Sequence, residues 1–190
     1  MDIYLVRHTQ TDTLKGLCYG RSDVALAASF AEDIQQLRQK LPEIRPDTPV
    51  FSSPSTRCMQ LAESFSAAIT TDARLLELDF GDWEGSRFDE VDFAVLQQWT
   101  DNFVHTAPPN GESFNDLYQR AGSFWQDVVH GMHPQSEQIL IITHAGVIRA
   151  LLAYILNLPL AHAFQFRVDV GSVHKLQHLN HYTYINYINL

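Results

Sequence analysis

Residues 138–157 read QILIITHAGVIRALLAYILN. After Gln138, residues 139–143 form a run rich in apolar and β-branched side chains, the composition of a strand buried on both faces. From about residue 146 to 157 the pattern turns helical. A buried strand running straight into a helix is the repeating unit of a parallel α/β sheet. Working outward, the same unit recurs. Ile3–Val6 is a short apolar strand. Residues 29–41 show a helical face of Phe30, Ile34, Leu37 and Leu41, with Ser29 and Glu32 placed for a capping box. Val50–Ser52 is a second strand, followed by a helix with Ser53 as N-cap and Pro54 at its first position; Cys58, Leu61, Phe65 and Ala68 line its buried face. ARLLEL (73–78) reads as a third strand. Helical patterns cover 87–99 and 113–130, separated by the breaker APPNGE. The tail reads as strands FQFRVDV, SVHKLQHL and YTYINYINL, with turn signals at Gly171-Ser172 and Asn180-His181. The expectation is a single α/β domain over 1–190, mostly parallel with an antiparallel edge.

Composition narrows the partners. The chain has 190 residues, 45% hydrophobic and 18% charged, with a net charge of -9. It is long enough for a sizeable core. An acidic chain does not coat nucleic acid or an anionic membrane, so any anion must be held locally by a few cations. Cys18 and Cys58 make neither a disulfide framework nor a metal-type CxxC. With no signal-peptide pattern, a cytoplasmic location is expected. The apolar segment 146–164 is broken by Arg149, Asn157 and Pro159 and reads as a buried helix, not a membrane span. The uncharged tail strand YTYINYINL offers an edge either to a second copy, making a homodimer, or to a covering element within the monomer.

Open parallel sheets bind ligands beyond the carboxyl ends of their strands. Arg7-His8 follows the first strand and Pro54-Ser55-Thr56-Arg57 the second. Glu77 stands near the end of ARLLEL, and His144-Ala145-Gly146 follows ILIIT. One such residue at a strand end is ordinarily solvated; four strand ends so equipped suggest a site for an anion and for proton transfer. Arginine forks match phosphate oxygens. Histidine serves as nucleophile or proton donor, and a glutamate can protonate a leaving oxygen and then activate water. The alternative, a metal at His174, His178 and His181, fits poorly. Their spacing suits a helix, and the stretch reads as strand and turn. His105, His130, His133 and His162 read as surface or loop residues.

Five segments, in order, resemble the histidine phosphatase superfamily, its phosphoglycerate mutase-like branch: LVRHTQT (5–11), SSPSTRCMQLAE (52–63), LLELDFGDWEG (75–85), PPNGESF (108–114) and ITHAGVIRALLA (142–153). The resemblance implies a three-layer α/β/α sandwich and a phosphohistidine mechanism without metal or other cofactor. It assigns His8 as nucleophile, Arg7, Arg57 and His144 as the rest of the phosphate pocket, and Glu77 as proton donor. The chain departs from the family pattern at Thr9 and Ala145, where glycine is usual, and at Leu14, where asparagine is usual; the hydroxyl of Thr9 or of Thr11 is the candidate to replace the lost phosphate contact. GLCYGRSDVALAASF (16–30) resembles the matching segment of the alpha-ribazole-5'-phosphate phosphatases of cobalamin synthesis. Tyr19, Arg21 and the 80–114 region are expected to shape the leaving-group pocket, with Ala145 beside the substrate. The expected substrate is a small-molecule phosphate monoester. A sugar-phosphate phosphatase or mutase on the same site, and a phospholigand-binding module without turnover, are the alternatives.

Overall fold

A computed structural model describes residues 1–132 and 136–190; His133 lies outside them. Six strands form one sheet: β1 (Asp2–Arg7), β2 (Val50–Ser52), β3 (Ile69–Thr71), β4 (Gln138–Thr143), β5 (Val173–Leu179) and β6 (Tyr182–Tyr187), in the order β3-β2-β4-β1-β5-β6. The first four run parallel. β5 pairs antiparallel with β1, and β6 closes that edge by pairing antiparallel with β5. Five α-helices pack around it: α1 (Phe30–Lys40), α2 (Thr56–Glu63), α3 (Phe93–Asp101), α4 (Phe114–Asp127) and α5 (Ala145–Ile155).

Strand alternation divides the interior into two cores. Ile3, Leu5, Phe51, Ile139, Ile141 and Leu176 face α4 and α5. Tyr4, Val6, Val50, Leu140, Ile142 and Val173 face Leu37 of α1 and Cys58, Leu61 and Ala62 of α2. A continuous apolar run such as ILII serves both, because successive side chains point to opposite faces. The result is a sheet between two helical layers.

Several local expectations are corrected. ARLLEL is not a strand: Ala73–Leu75 is a 3-10 turn and an extended stretch follows. The strand in that region is Ile69–Thr71. FQFRVDV is not a strand either; Leu160–Gln165 forms 3-10 turns, and the carbonyls of Phe166 and Val168 accept from Arg149 Nε at 3.1 Å and Arg7 Nη1 at 2.9 Å. The 87–99 helix splits into a 3-10 turn, Phe88–Glu90, and α3, capped by Asp92. The Ser29 hydroxyl makes no cap bond and instead donates to Asp33 Oδ2 at 3.2 Å. The second helix starts after Ser55, not Ser53, because the Ser53 N–H continues the sheet to the Ile142 carbonyl. His174 is buried and spends its ring on Ser172 Oγ and the Asn189 N–H, whereas His178 bonds Thr183 Oγ1. Those two imidazoles are therefore engaged separately. His105, His130 and His162 are exposed. No helix among the described residues is long and apolar enough to cross a membrane.

Candidate active site

Sheet register brings the chemistry together. Arg7 is opposite Thr143, and the His8 N–H donates to the Thr143 carbonyl at 3.0 Å. His8 and His144 therefore leave adjacent strands at one level, their ring centroids 5.2 Å apart. Ser53 leaves β2 beside them, and Arg57 enters from the first turn of α2.

Arg7, His8, Tyr19, Arg57 and Glu77 line one pocket of about 160 Å³, with Leu17, Cys18, Gly20, Phe80 and Phe88. His8 is buried, and its Nδ1–H donates to the Thr9 carbonyl at 2.8 Å. That bond fixes the tautomer: in the neutral ring the lone pair sits on Nε2. Burial, opposed by the Thr9 bond and reinforced by the charges of Arg57 and Arg7, lowers the His8 pKa to about 3. The imidazole is thus unprotonated at neutral pH, the state that nucleophilic attack requires.

Arg57 is fully buried. Its Nη1 donates to the Ser22 carbonyl at 2.8 Å and its Nη2 to the Gly20 carbonyl at 2.6 Å. The guanidinium lies over the Tyr19 ring, 5.4 Å from its centroid. Among the described residues, the buried Nε–H groups of Arg7 and Arg57 have no hydrogen-bond partner. Buried donors are rarely left unpaired, and two of them on cations in one pocket suit an anion.

Glu77 presents a fixed carboxylate. Oε2 accepts from the Gly146 N–H at 3.1 Å and Oε1 from the Leu78 N–H at 3.0 Å. Gly146 opens the first turn of α5, so the helix N-terminus holds the acid in place.

The remaining residues are placed less directly. His144 does not line the pocket. Its Nδ1 accepts from Arg57 Nη2 at 3.2 Å, since arginine only donates, which leaves Nε2–H to Ser53 Oγ at 2.8 Å and Ser55 Oγ at 3.2 Å. Burial, then the neighbouring His8, Arg57 and Arg7, holds its pKa well below the ordinary histidine range. Thr9 is buried and lines a separate depression with Leu37 and Lys40 of α1. Thr11 does not line the pocket, and its Oγ1 lies 3.4 Å from the Tyr19 hydroxyl. Arg21 is bound to Asp79 and Glu112, both at 3.1 Å. Ala145 is in the core beside α4, and Leu14 is 73% exposed.

Three supporting residues escaped the sequence reading. Glu84 accepts from the N–H groups of Arg21 at 2.7 Å, Ser22 at 2.6 Å and Phe80 at 3.2 Å, and from the Ser22 hydroxyl. Burial pushes its pKa up, but these bonds outweigh it and hold the carboxyl below the usual range. It thereby shapes the loop whose carbonyls hold Arg57. Arg120 and Glu112 brace the segment carrying Glu77. The signal for Glu84 and Glu112 lay in the DWEG and GES motifs, which announce a carboxylate but not its partner; Arg120 stands in neither.

The chain is 28% identical over 183 residues to the adenosylcobalamin/alpha-ribazole phosphatase of Escherichia coli (strain K12), covering 90% of this chain and 87% of that one. It is 32% identical over 163 residues to the rat 6-phosphofructo-2-kinase/fructose-2,6-bisphosphatase 4, covering 82% of this chain and 33% of that longer protein. The crystal structure of the alpha-ribazole phosphatase from Shigella flexneri superposes with a TM-score of 0.89 at 26% identity, over 100% of this chain and 96% of that one. The model of the histidine phosphatase superfamily (branch 1) matches residues 3–190, and the chain belongs to that superfamily.

Proposed function

We propose that the protein hydrolyses alpha-ribazole-5'-phosphate, or a close small-molecule phosphate monoester, through phosphorylated His8. The observation that carries this reading is the tautomer-locked His8 beside two unpaired arginine N–H donors and Glu77 in one pocket. Phosphate oxygens are bound by Arg7 and Arg57. His8 Nε2 attacks phosphorus in line, a P–N bond forms and the bond to the leaving oxygen breaks. Glu77, as the acid, gives that oxygen its proton. The Glu77 carboxylate then takes a proton from water, whose oxygen attacks phosphorus, and the P–N electron pair returns to Nε2. His144 acts through Arg57 and His8, holding the guanidinium and packing on the nucleophile.

Leu17, Tyr19, Phe80 and Phe88 form an apolar wall beside the phosphate end. Phe80 and Phe88 meet edge to face at 5.6 Å. That wall suits a leaving group with a flat heteroaromatic base, which favours alpha-ribazole over a bare sugar. The sugar-phosphate alternative rests on the likeness to the rat bisphosphatase-bearing protein. The unpaired thiols of Cys18 and Cys58 suit a reducing, cytoplasmic setting. The edge of β6, with Tyr182 and Tyr184 exposed, is a surface on which a second copy would pair.

The test is kcat/KM for alpha-ribazole phosphate against ribose, glucose and fructose phosphates and phosphoserine, with chelator present. A preference for alpha-ribazole phosphate of about tenfold or more is expected from contacts with one apolar wall. A sugar phosphate with the higher value would replace the substrate assignment. Absence of turnover on every substrate would leave the binding-module reading.

A further inference from the structure

The segment that carries Glu77 is extended but lies outside the sheet, and one side chain does the work of a neighbouring strand. Arg120, on α4, donates from Nη1 to the carbonyls of Arg74 at 2.8 Å and Leu76 at 2.6 Å, and from Nη2 to the carbonyl of Glu77 at 2.9 Å. Its Nε donates to Glu112 Oε2 at 3.1 Å, and Nη2 also donates to Glu112 Oε1. All five N–H groups of the guanidinium are thereby committed. Glu112 closes the frame from the other end. Its Oε1 accepts from the Asp79 N–H at 3.2 Å, and its own N–H donates to the Asp79 carbonyl at 3.0 Å. The pair is largely buried, at 17% and 14% side-chain exposure, so solvent screens it little. Thr143 Oγ1 adds a tether from β4, donating to the Leu75 carbonyl at 2.8 Å.

From these bonds we infer that the Arg120–Glu112 pair is the positioning device of the proton donor, setting how far the Glu77 carboxylate reaches toward the leaving oxygen. This rests on the reading of Glu77 as general acid given above. Arg120 is bonded to the Glu77 main chain and is not among the residues that line the pocket. It is a positioning residue, not a catalytic one. Lysine at 120 keeps the charge but offers a single point in place of a planar fork, and cannot span three carbonyls and a carboxylate. A misplaced acid matters in proportion to the leaving group's need for a proton. An alkoxide needs one; a nitrophenolate departs without it.

The experiment compares kcat/KM, which reports steps through departure of the leaving group, for a simple alkyl phosphate and for nitrophenyl phosphate. The enzymes are wild type, Arg120→Lys, Glu112→Gln, Glu77→Gln and the Glu77→Gln/Arg120→Lys double variant. Near-ultraviolet circular dichroism confirms the fold; if Arg120→Lys does not fold, Glu112→Gln carries the same comparison. Expected for Arg120→Lys is a loss of about ten- to hundredfold on the alkyl ester and less than about threefold on the aryl ester, a fraction of what a general acid supplies. In the Glu77→Gln background the second substitution should add nothing. Equal losses on both esters, or none on either, would overturn the inference while leaving Glu77 as the acid, provided Glu77→Gln itself discriminates between them. If Glu77→Gln loses equally on both, the proton-donor reading falls and takes this inference with it.

Discussion

Gly146 shows how little room the Glu77 carboxyl group, the proposed proton donor, has. A Cβ there would stand 2.3 Å from Glu77 Oε1 and 3.2 Å from Leu117 Cδ2, while the Gly146 N–H holds Oε2. Gly146→Ala therefore forces the carboxylate to turn away from its own anchor. We expect kcat for an alkyl phosphate to fall about tenfold or more, in line with the sensitivity of positioned groups to small displacements. Unchanged steady-state kinetics would show that the carboxylate can shift harmlessly. At this scale Arg7, His8 and Arg57 were legible because each follows an apolar strand, where a parallel sheet places its ligands; Glu77 reaches the same pocket from a stretch outside the sheet, so the strand expected over ARLLEL is not what places it. The part played by His144 was not legible. Its partners, Ser53 and Ser55, lie about ninety residues away, on β2 and before α2. Thr9 also acts through its backbone, which no motif could foretell: its carbonyl accepts from His8 Nδ1–H, while its buried hydroxyl has no partner among the described residues.

At the scale of elements, the two misread strands share a cause. ARLLEL and FQFRVDV are extended or apolar enough to pair, yet their carbonyls are taken by arginine side chains: Arg120 for the first, Arg7 and Arg149 for the second. Such partners are invisible in a local pattern, whereas the strands of the two cores announce themselves by burial on both faces. β3 was missed because it has only three residues, ITT, two of them exposed threonines. The α4–α5 contact carries its own prediction. Gly122 sits inside α4, where alanine ordinarily stabilises a helix by about 1 kcal/mol. Here a Cβ would lie 2.4 Å from the Tyr154 ring, which is held by Gln126 at 3.0 Å. Overpacking wins, and Gly122→Ala should destabilise by about 1–3 kcal/mol in urea unfolding. A gain in stability would mean the α4–α5 interface yields.

For the whole molecule, the buried imidazoles set the response to acid. His8 titrates at about 3 and His174 at about 4, each lowered chiefly by burial, against an ordinary 6.5; His144 is lowered by the same cause. The folded protein binds fewer protons than the unfolded chain between 6.5 and these values, so its stability is full above 6.5 and is lost as pH falls. The slope is about 1.4 kcal/mol per pH unit for each such histidine. Unfolding free energies at pH 7 and pH 5 should differ by at least about 2 kcal/mol, and equal values would refute the buried neutral rings. The six-stranded sheet brings His8 and His144 together because β1 and β4 are neighbours at its centre with their carboxyl ends aligned. That juxtaposition, more than any one motif, makes the site.

The most direct test is to trap the phosphoenzyme. Wild-type protein incubated briefly with substrate carrying labelled phosphorus and quenched in alkaline denaturant should hold label that survives alkali and is lost in acid, as phosphohistidine does. His8→Ala should hold none, although it remains folded. Acid-stable label in the wild type, or label that persists in His8→Ala, would contradict the account.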